Sequence, residues 1–318
     1  MTLSNGRVTS RILLRRAEAL RKHLPAAVAG EDAGVHQARV ATRRLREAVP
    51  VLAARLHGSK AGKARKKIRK LTRALGSVRE LDVTLHVVEE LIQIEHLPRP
   101  ALEAVRRHVI EERDRRREVM LDRLEAVNTQ KLVRRLESLA GALDESRTEG
   151  WREALSARVT KRAARLDGAV LKAGQLYDPE RLHRVRIAAK TLRYGLELAA
   201  DSGVKPASPA VRRIKRVQDL LGRLHDLQVV KEHIAAVQAS PSASEPGMHA
   251  RLDAVAQYVE AECRHLHARY LMMAASIQAI IDQVRTRVIP EIERAPRLRP
   301  LKMQLARRAS ARASGEGR

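Results

Sequence analysis

The sequence predicts an all-α protein built by internal duplication, and three observations carry that reading. The first is composition. Of 318 residues, 44% are apolar, yet there is no Phe, one Trp and four Tyr, so a core must be packed from Leu, Val, Ile and Ala. Leu, Ala, Arg and Glu are among the stronger helix formers. The second is an eleven-residue stretch, His36-Gln-Ala-Arg39-Val-Ala-Thr-Arg43-Arg44-Leu-Arg46, which returns as His183-Arg-Val-Arg186-Ile-Ala-Ala-Lys190-Thr-Leu-Arg193. The third is a further matched block, Ile68 to Val83 against Ile214 to Val229. His183 follows His36 by 147 residues and Ile214 follows Ile68 by 146, so the blocks keep their order and, within one residue, their separation. That pattern is the mark of internal duplication, and the length suffices for it.

Each element has its own signal. Residues 8–24 carry apolar positions at helical spacing, with an end at Leu24-Pro25 because a residue before proline avoids the α region. Gly30 to Gly34 reads as a breaker. The His36 helix then runs to about Leu56 with a kink at Pro50, and His57-Gly58-Ser59 separates it from a basic helix over 60–75. Ile68, Leu71 and Leu75 are its buried side, Gly76-Ser77 its end, and Val78 to Glu95 form the next helix. After Pro98 and Pro100 a charge-dense helix reaches about Val127, a short helix covers 130–143, and 144–150 links the halves. Trp151 to about Leu176 opens the second half. Asp178-Pro179 is a helix start, with Asp as cap and Pro in the first helical position. A Pro/Ser loop at 240–247 precedes a helix from Met248 and another to Val288. The bundles span residues 5–290, split near 145–150, and residues 291–318 read as a basic, disordered tail.

The charge sets the class of partner. A formal net charge of +26 and a pI near 11.2 point to an anion: nucleic acid, an acidic membrane surface or an inorganic polyanion. Cys263 is the only cysteine, which excludes an intramolecular disulfide and fits a reducing compartment. No signal segment opens the chain, and no stretch approaches the ~18 apolar residues of a membrane span. The expectation is a cytoplasmic protein.

The repeated stretch is where the charge is organised. At roughly 100° per residue, His36, Arg39, Arg43 and Arg46 fall within an arc of about 80°, and His183, Arg186, Lys190 and Arg193 repeat it. Opposite run Ala38, Ala41, Leu45, Ala48, Val49 and Leu52, and in the second copy Val185, Ala188, Leu192 and Leu196. A solvated, ion-paired face is the plainer account, but it needs acids, and only Glu47 and Glu197 are near. Like charges at i,i+3 and i,i+4 repel, so a face that accumulates them twice calls for an anion. On the long helix to Val127, by contrast, Glu111, Glu112, Asp114 and Glu118 interleave with Arg113, Arg115, Arg116 and Arg117, which reads as an ion-paired surface.

With these blocks in view the chain resembles the CHAD family, the conserved histidine α-helical domain, in its stand-alone form. The resemblance rests on the two histidine stretches, the second extended by Tyr194, on Leu75-Gly76-x-x-Arg79-x-x-Asp82-Val83, and on Gln218-Asp219-Leu220-Leu221-Gly222-x-x-x-Asp226. It covers about residues 5–290. It implies two pseudo-symmetric bundles around a basic groove or pore, binding of inorganic polyphosphate, and residence at polyphosphate-containing granules or complexes. Glu80 departs from the family's usual Asp, and Asp219 stands where the first half has Arg73, which makes the two surfaces unequal.

Polyphosphate presents charge without base edges, so positioned cations are enough to hold it, and the planar fork of arginine donates two charge-assisted bonds to one phosphate. The candidates are Arg39, Arg43, Arg46, Arg186, Lys190 and Arg193. A second tier is Lys66, Arg69, Lys70 and Arg73, with Arg212, Lys215 and Arg216 as counterparts of the first three. His36 and His183 have three readings: phosphate contact, a structural bond to a neighbouring helix, or a metal site that lacks further ligands. No P-loop, dinucleotide fingerprint or acidic Mg²⁺ cluster is present, so no enzyme, cofactor or metal is expected. Non-specific binding of DNA or RNA is the alternative, against which the scarcity of aromatic stacking platforms counts. A granule scaffold that recruits proteins is compatible with either.

Overall fold

Helical periodicity becomes eleven α-helices in the computed structural model, which describes residues 5–54, 56, 59–145 and 150–294. No strand occurs among them. The first half comprises α1 (Asn5–Val28), α2 (Asp32–Leu52), α3 (Ser59–Ile92), α4 (Arg99–Glu125) and α5 (Thr129–Glu145). The second comprises α6 (Trp151–Ala173), α7 (Pro179–Asp201), α8 (Ala207–Gln238), α9 (Met248–Met272), α10 (Ala274–Gln283) and α11 (Ile289–Glu293), with a π-helical turn at Val284–Val288 between the last two.

Packing follows the same plan in both halves, consistent with duplication. In the first, α2 lies against α1 and α3, α3 against α4, and α5 returns to α1. In the second, α7 lies against α6 and α8, α8 against α9, and α10 and α11 return to α6. The halves meet where α3 packs on α8, α4 on α8 and α9, and α2 on α6 and α7. Both motif helices bury the stripe the sequence assigns them: Ala38, Leu45, Ala48, Val185, Leu192 and Leu196 are fully buried. Their opposite faces are left to the cations. Trp151 and Tyr270 are among the largest fully buried side chains of the leucine-rich core.

Several expected boundaries move, each because packing outweighs a local signal. α1 does not end at Pro25 but runs to Val28, with the Ala29 amide donating to the Pro25 carbonyl at 2.9 Å and Leu24 and Ala27 buried. The breaker at 30–34 shrinks to a turn around Gly30, whose φ is +78°, and Gly34 belongs to α2. A Cβ on Gly34 would stand 2.5 Å from the Ala26 carbonyl carbon, so α1 and α2 touch there. α2 stops at Leu52, placing Pro50 in its last turn, and 57–58 of the expected separator lie outside the described residues. The largest correction is α3, one helix of 34 residues running through Gly76 and Ser77. A helical glycine costs about 1 kcal/mol. The stripe of Ile68, Leu71, Leu75, Val78, Leu81, Leu85 and Val88 continues unbroken across it and is buried throughout; each such side chain contributes ~1.5–3 kcal/mol.

At the other end Ile292 is fully buried, and the backbone carbonyl of Ile292 accepts from Arg152 at 3.3 Å. The packed chain therefore extends past the expected limit at 290. The rest of the expected tail, 295–318, and positions 146–149 of the link lie outside the described residues.

Candidate anion-binding site

The two motif helices are set by local chemistry and then brought together by the meeting of the halves. Asp178 caps α7 by accepting the Arg181 amide at Oδ1, 3.0 Å away, and Pro179 occupies the first turn. This fixes His183 and Arg186 in the opening turns. In α2 the Val35 amide donates to Glu31 at 2.9 Å, starting the helix that carries His36 and Arg39.

Arg39 and Arg43 from α2 and Arg186, Lys190 and Arg193 from α7 lie close enough to repel one another. Burial, then Arg43, then Arg186, Arg39 and Arg193 push Lys190 down to about 6. Burial and Arg43 lower Arg39 to about 10, and burial lowers Arg186 and Arg46. Desolvation leads in every case, because a charged group pulled from water without an anion is disfavoured. The Nε atoms of Arg39, Arg43 and Arg193 are buried without a hydrogen-bond partner. Glu80, Asp226 and Glu197 are the acids near this cluster, outnumbered by its half-buried donors, an arrangement that is costly unless something negative enters.

Beside this cluster opens a cavity of about 330 Å³. Its wall joins Arg43 and Arg46 of α2, Arg65 and Arg69 of α3, Arg158 and Arg162 of α6, and Thr191 and Tyr194 of α7. One acid, Glu47, stands among six arginines. Glu47 is already used: its buried carboxylate accepts from Arg158 Nε at 2.9 Å and from both terminal nitrogens of Arg162, one of them at 2.6 Å. Arg162 also donates to the Thr191 carbonyl at 2.9 Å. The pair clamps α2, α6 and α7 together, and the remaining arginines of the wall keep their charge for a ligand.

The histidines are not equivalent. His183 Nδ1 stands 3.4 Å from Nδ1 of His225 on α8, and His225 Nε2 lies 3.8 Å from Glu80 of the opposite half. His183 thus has the inter-helix contact that a structural role requires, and through it α7, α8 and α3 are joined. His36 has Arg79, Arg39 and Arg43 as charged neighbours. Burial lowers the pKa of both histidines, and the surrounding cations add to it. Without an anion the charged imidazolium is disfavoured, since every strong neighbour of the two rings except Glu80 and Glu180 is a base. Glu80, the position that departs from the family's Asp, is held low by its bond to His225.

Of the other expected residues, Arg69 lines the cavity, whereas Lys66, Lys70 and Arg73 are exposed on α3 outside its wall. Arg212 lines a different cavity, and Lys215 and Arg216 are exposed on α8. Arg193 is in the cluster but partly spent: it donates to Glu197 at 2.9 Å and lies over the Tyr194 ring. Arg65, Arg79, Arg158 and Arg162 belong to the site and were not selected by sequence. For Arg158 and Arg162 the i,i+4 spacing on α6 was the available signal, and it is shared by any solvated basic helix. Three of the four arginines of α4 are ion-paired as the sequence indicates, Arg113 with Asp114 at 3.2 Å and Arg115 and Arg116 with Glu112 at 2.9 and 2.7 Å, whereas Arg117 donates to the Ala29 carbonyl.

Three comparisons bear on this arrangement. The family model for the CHAD domain matches residues 11–235. The crystal structure of the CHAD domain from the plant Ricinus communis aligns at 22% identity with a TM-score of 0.59, over 89% of this chain and 92% of that one. PptA from Streptomyces chartreusis aligns at 16% identity with a TM-score of 0.56, over 88% of this chain and 98% of that one. No curated protein sequence matches.

Proposed function

Because the chain belongs to the CHAD domain family, we propose that it binds inorganic polyphosphate across the surface where its two motif helices meet. One observation carries this reading. Arg39, Arg43, Arg186 and Lys190 converge from both halves, half-buried and mutually repelling, with no acid paired to them among the described hydrogen bonds and ion pairs. A linear chain with close to one negative charge per phosphate relieves that repulsion at every step. Its oxygens meet guanidinium forks at Arg39, Arg43 and Arg186 and, when bound, restore the proton on Lys190. The adjoining wall of Arg46, Arg65 and Arg69 continues the path.

In this reading the protein acts as a binding module. Polyphosphate binding brings the chain to polyphosphate-containing granules or complexes, where it can serve as a scaffold. No described helix is long and apolar enough to cross a membrane.

Nucleic acid is the competing ligand. Trp151, Tyr194 and Tyr270 are buried, and the half-buried Tyr177 and Tyr258 lie against His267 and His96, so the described aromatics offer bases no free stacking platform. The test is displacement of labelled long-chain polyphosphate by duplex DNA or single-stranded RNA at matched phosphate concentration and near-physiological salt. Poor competition by nucleic acid supports the proposal; equal or better competition identifies a general polyanion binder.

A further inference from the structure

A second cavity, of about 510 Å³, opens between α1, α2, α7 and α8 and shares no lining residue with the first. Its chemistry differs. Four guanidiniums, of Arg15, Arg16, Arg44 and Arg212, stand with two carboxylates, Glu197 and Asp201, and the Ser208 hydroxyl. Ala19, Ala41, Ala200 and Val211 supply apolar wall.

Arg16 is the fixed point. Its side chain is only 4% exposed, one terminal nitrogen donates to the Arg44 carbonyl at 2.7 Å, and the other to Asp201 at 2.8 Å. Its Nε is buried with no partner. Around it the other arms are free to move: Arg15 reaches Asp201 at 2.6 Å but is 61% exposed, and Arg44 reaches Glu197 at 3.3 Å and is 48% exposed. Exposed pairs of this kind are held by about 1 kcal/mol or less, so a phosphate can draw both arginines away from their carboxylates.

We infer that this cavity binds a compact phosphate monoester with a neutral, hydroxyl-bearing body, such as a nucleoside monophosphate, separately from the polyphosphate surface. The charge balance selects it. Four arginines against two carboxylates match the charge of one monoester, about −1.5 to −2 at neutral pH. A polyphosphate chain threading the same cavity would meet Glu197 and Asp201 at close range. For a monoester those carboxylates are acceptors for hydroxyl donors once Arg15 and Arg44 have turned to the phosphate, and the alanines and Val211 cover the ring. The volume lies within the range of small-ligand pockets, about 300–1,000 Å³.

The test is isothermal titration of the full chain with AMP and with adenosine, in the absence of polyphosphate. AMP is expected to bind at a single equivalent, and adenosine at least about tenfold more weakly because the phosphate carries the charge-assisted bonds. Arg15→Ala should weaken AMP by about tenfold. Val211→Trp fills the cavity without altering charge, and is expected to weaken AMP at least as much while changing long-chain polyphosphate affinity by less than about twofold. Circular dichroism melts verify that both variants fold. Absence of AMP binding at millimolar concentration, retention of AMP affinity in Val211→Trp, or parallel loss of AMP and polyphosphate binding in that variant would each overturn the inference. A chain that bound AMP but not polyphosphate would refute the proposed function and leave this inference standing.

Discussion

The two cavities occupy corresponding places in the two halves, and their difference lies in where the acids fall. One is walled by α2, α3, α6 and α7, the other by α7, α8, α1 and α2. At the 147-residue offset Arg15 corresponds to Arg162, Arg44 to Thr191, Glu47 to Tyr194 and Pro50 to Glu197. In the first cavity the acid is Glu47, buried and locked by Arg158 and Arg162, so the other four arginines of the wall stand without an acid in that wall. In the second, Glu197 stands where the first half has proline, and with Asp201 it neutralises Arg44, Arg193, Arg15 and Arg16. A duplicated helical frame can keep one layout of cations and still produce two different sites, because a single acid decides whether a guanidinium is available.

The comparison breaks most severely at Glu47. Glu47→Gln removes a buried carboxylate and leaves the half-buried Arg158 and Arg162 under-compensated, and is expected to cost about 3 kcal/mol in denaturant unfolding, the usual scale for removing one partner of a buried pair. Glu197→Gln, in the more open cavity, should cost about 1 kcal/mol or less. Equal losses would mean that the two acids do the same structural job.

Next in size is ligand affinity. Arg39→Ala with Arg186→Ala is expected to lower polyphosphate affinity by about 100-fold, from two lost charge-assisted contacts of ~1.5 kcal/mol each. Arg115→Ala with Arg116→Ala removes as many charges from the ion-paired face of α4 and should cost no more than about threefold. Matching losses in a binding titration would show bulk charge at work. In the opposite direction, Glu197→Gln frees Arg193 of the cluster and is expected to raise polyphosphate affinity by about threefold.

The smallest effect is on proton balance. Lys190 is pushed down to about 6, and burial holds His183 below its ordinary value. A bound polyanion raises both, so the complex carries more protons than the free protein. Affinity should therefore fall as pH rises above about 6 and level off at lower pH, with proton uptake measurable by titration in buffers of different ionisation enthalpy. For folding the sign is set by the unfolded chain, in which Lys190 binds its proton up to 10.5. Stability of the unliganded protein should rise with pH between about 6 and 10.5. Lys190→Met should flatten that rise, stabilise the empty fold at neutral pH and weaken polyphosphate binding.

Much of this could be read in the sequence, for identifiable reasons. Ala38, Leu45, Ala48 and Leu192 repeat at helical spacing and are buried where the spacing puts them. The arcs of Arg39, Arg43, Arg186 and Lys190 are local properties of single helices, and the structure gathers them into one cluster. Gly76 and Pro25 misled because a glycine or proline signals locally, whereas the apolar stripe of α3 and the buried Leu24 and Ala27 act over many residues. Arg158, Arg162 and Arg65 were invisible because they join the site only through the docking of α6 and α3 against the motif helices.

The continuity of α3 has a mechanical consequence. At about 1.5 Å per residue its 34 residues form a beam roughly 50 Å long. Arg65 and Arg69 sit near one end, Glu80 touches His225 of the other half farther along, and Glu90 is tied to Arg223 beyond it. An anion that grips the first end cannot shift it without levering the others, so the two halves are loaded as one frame.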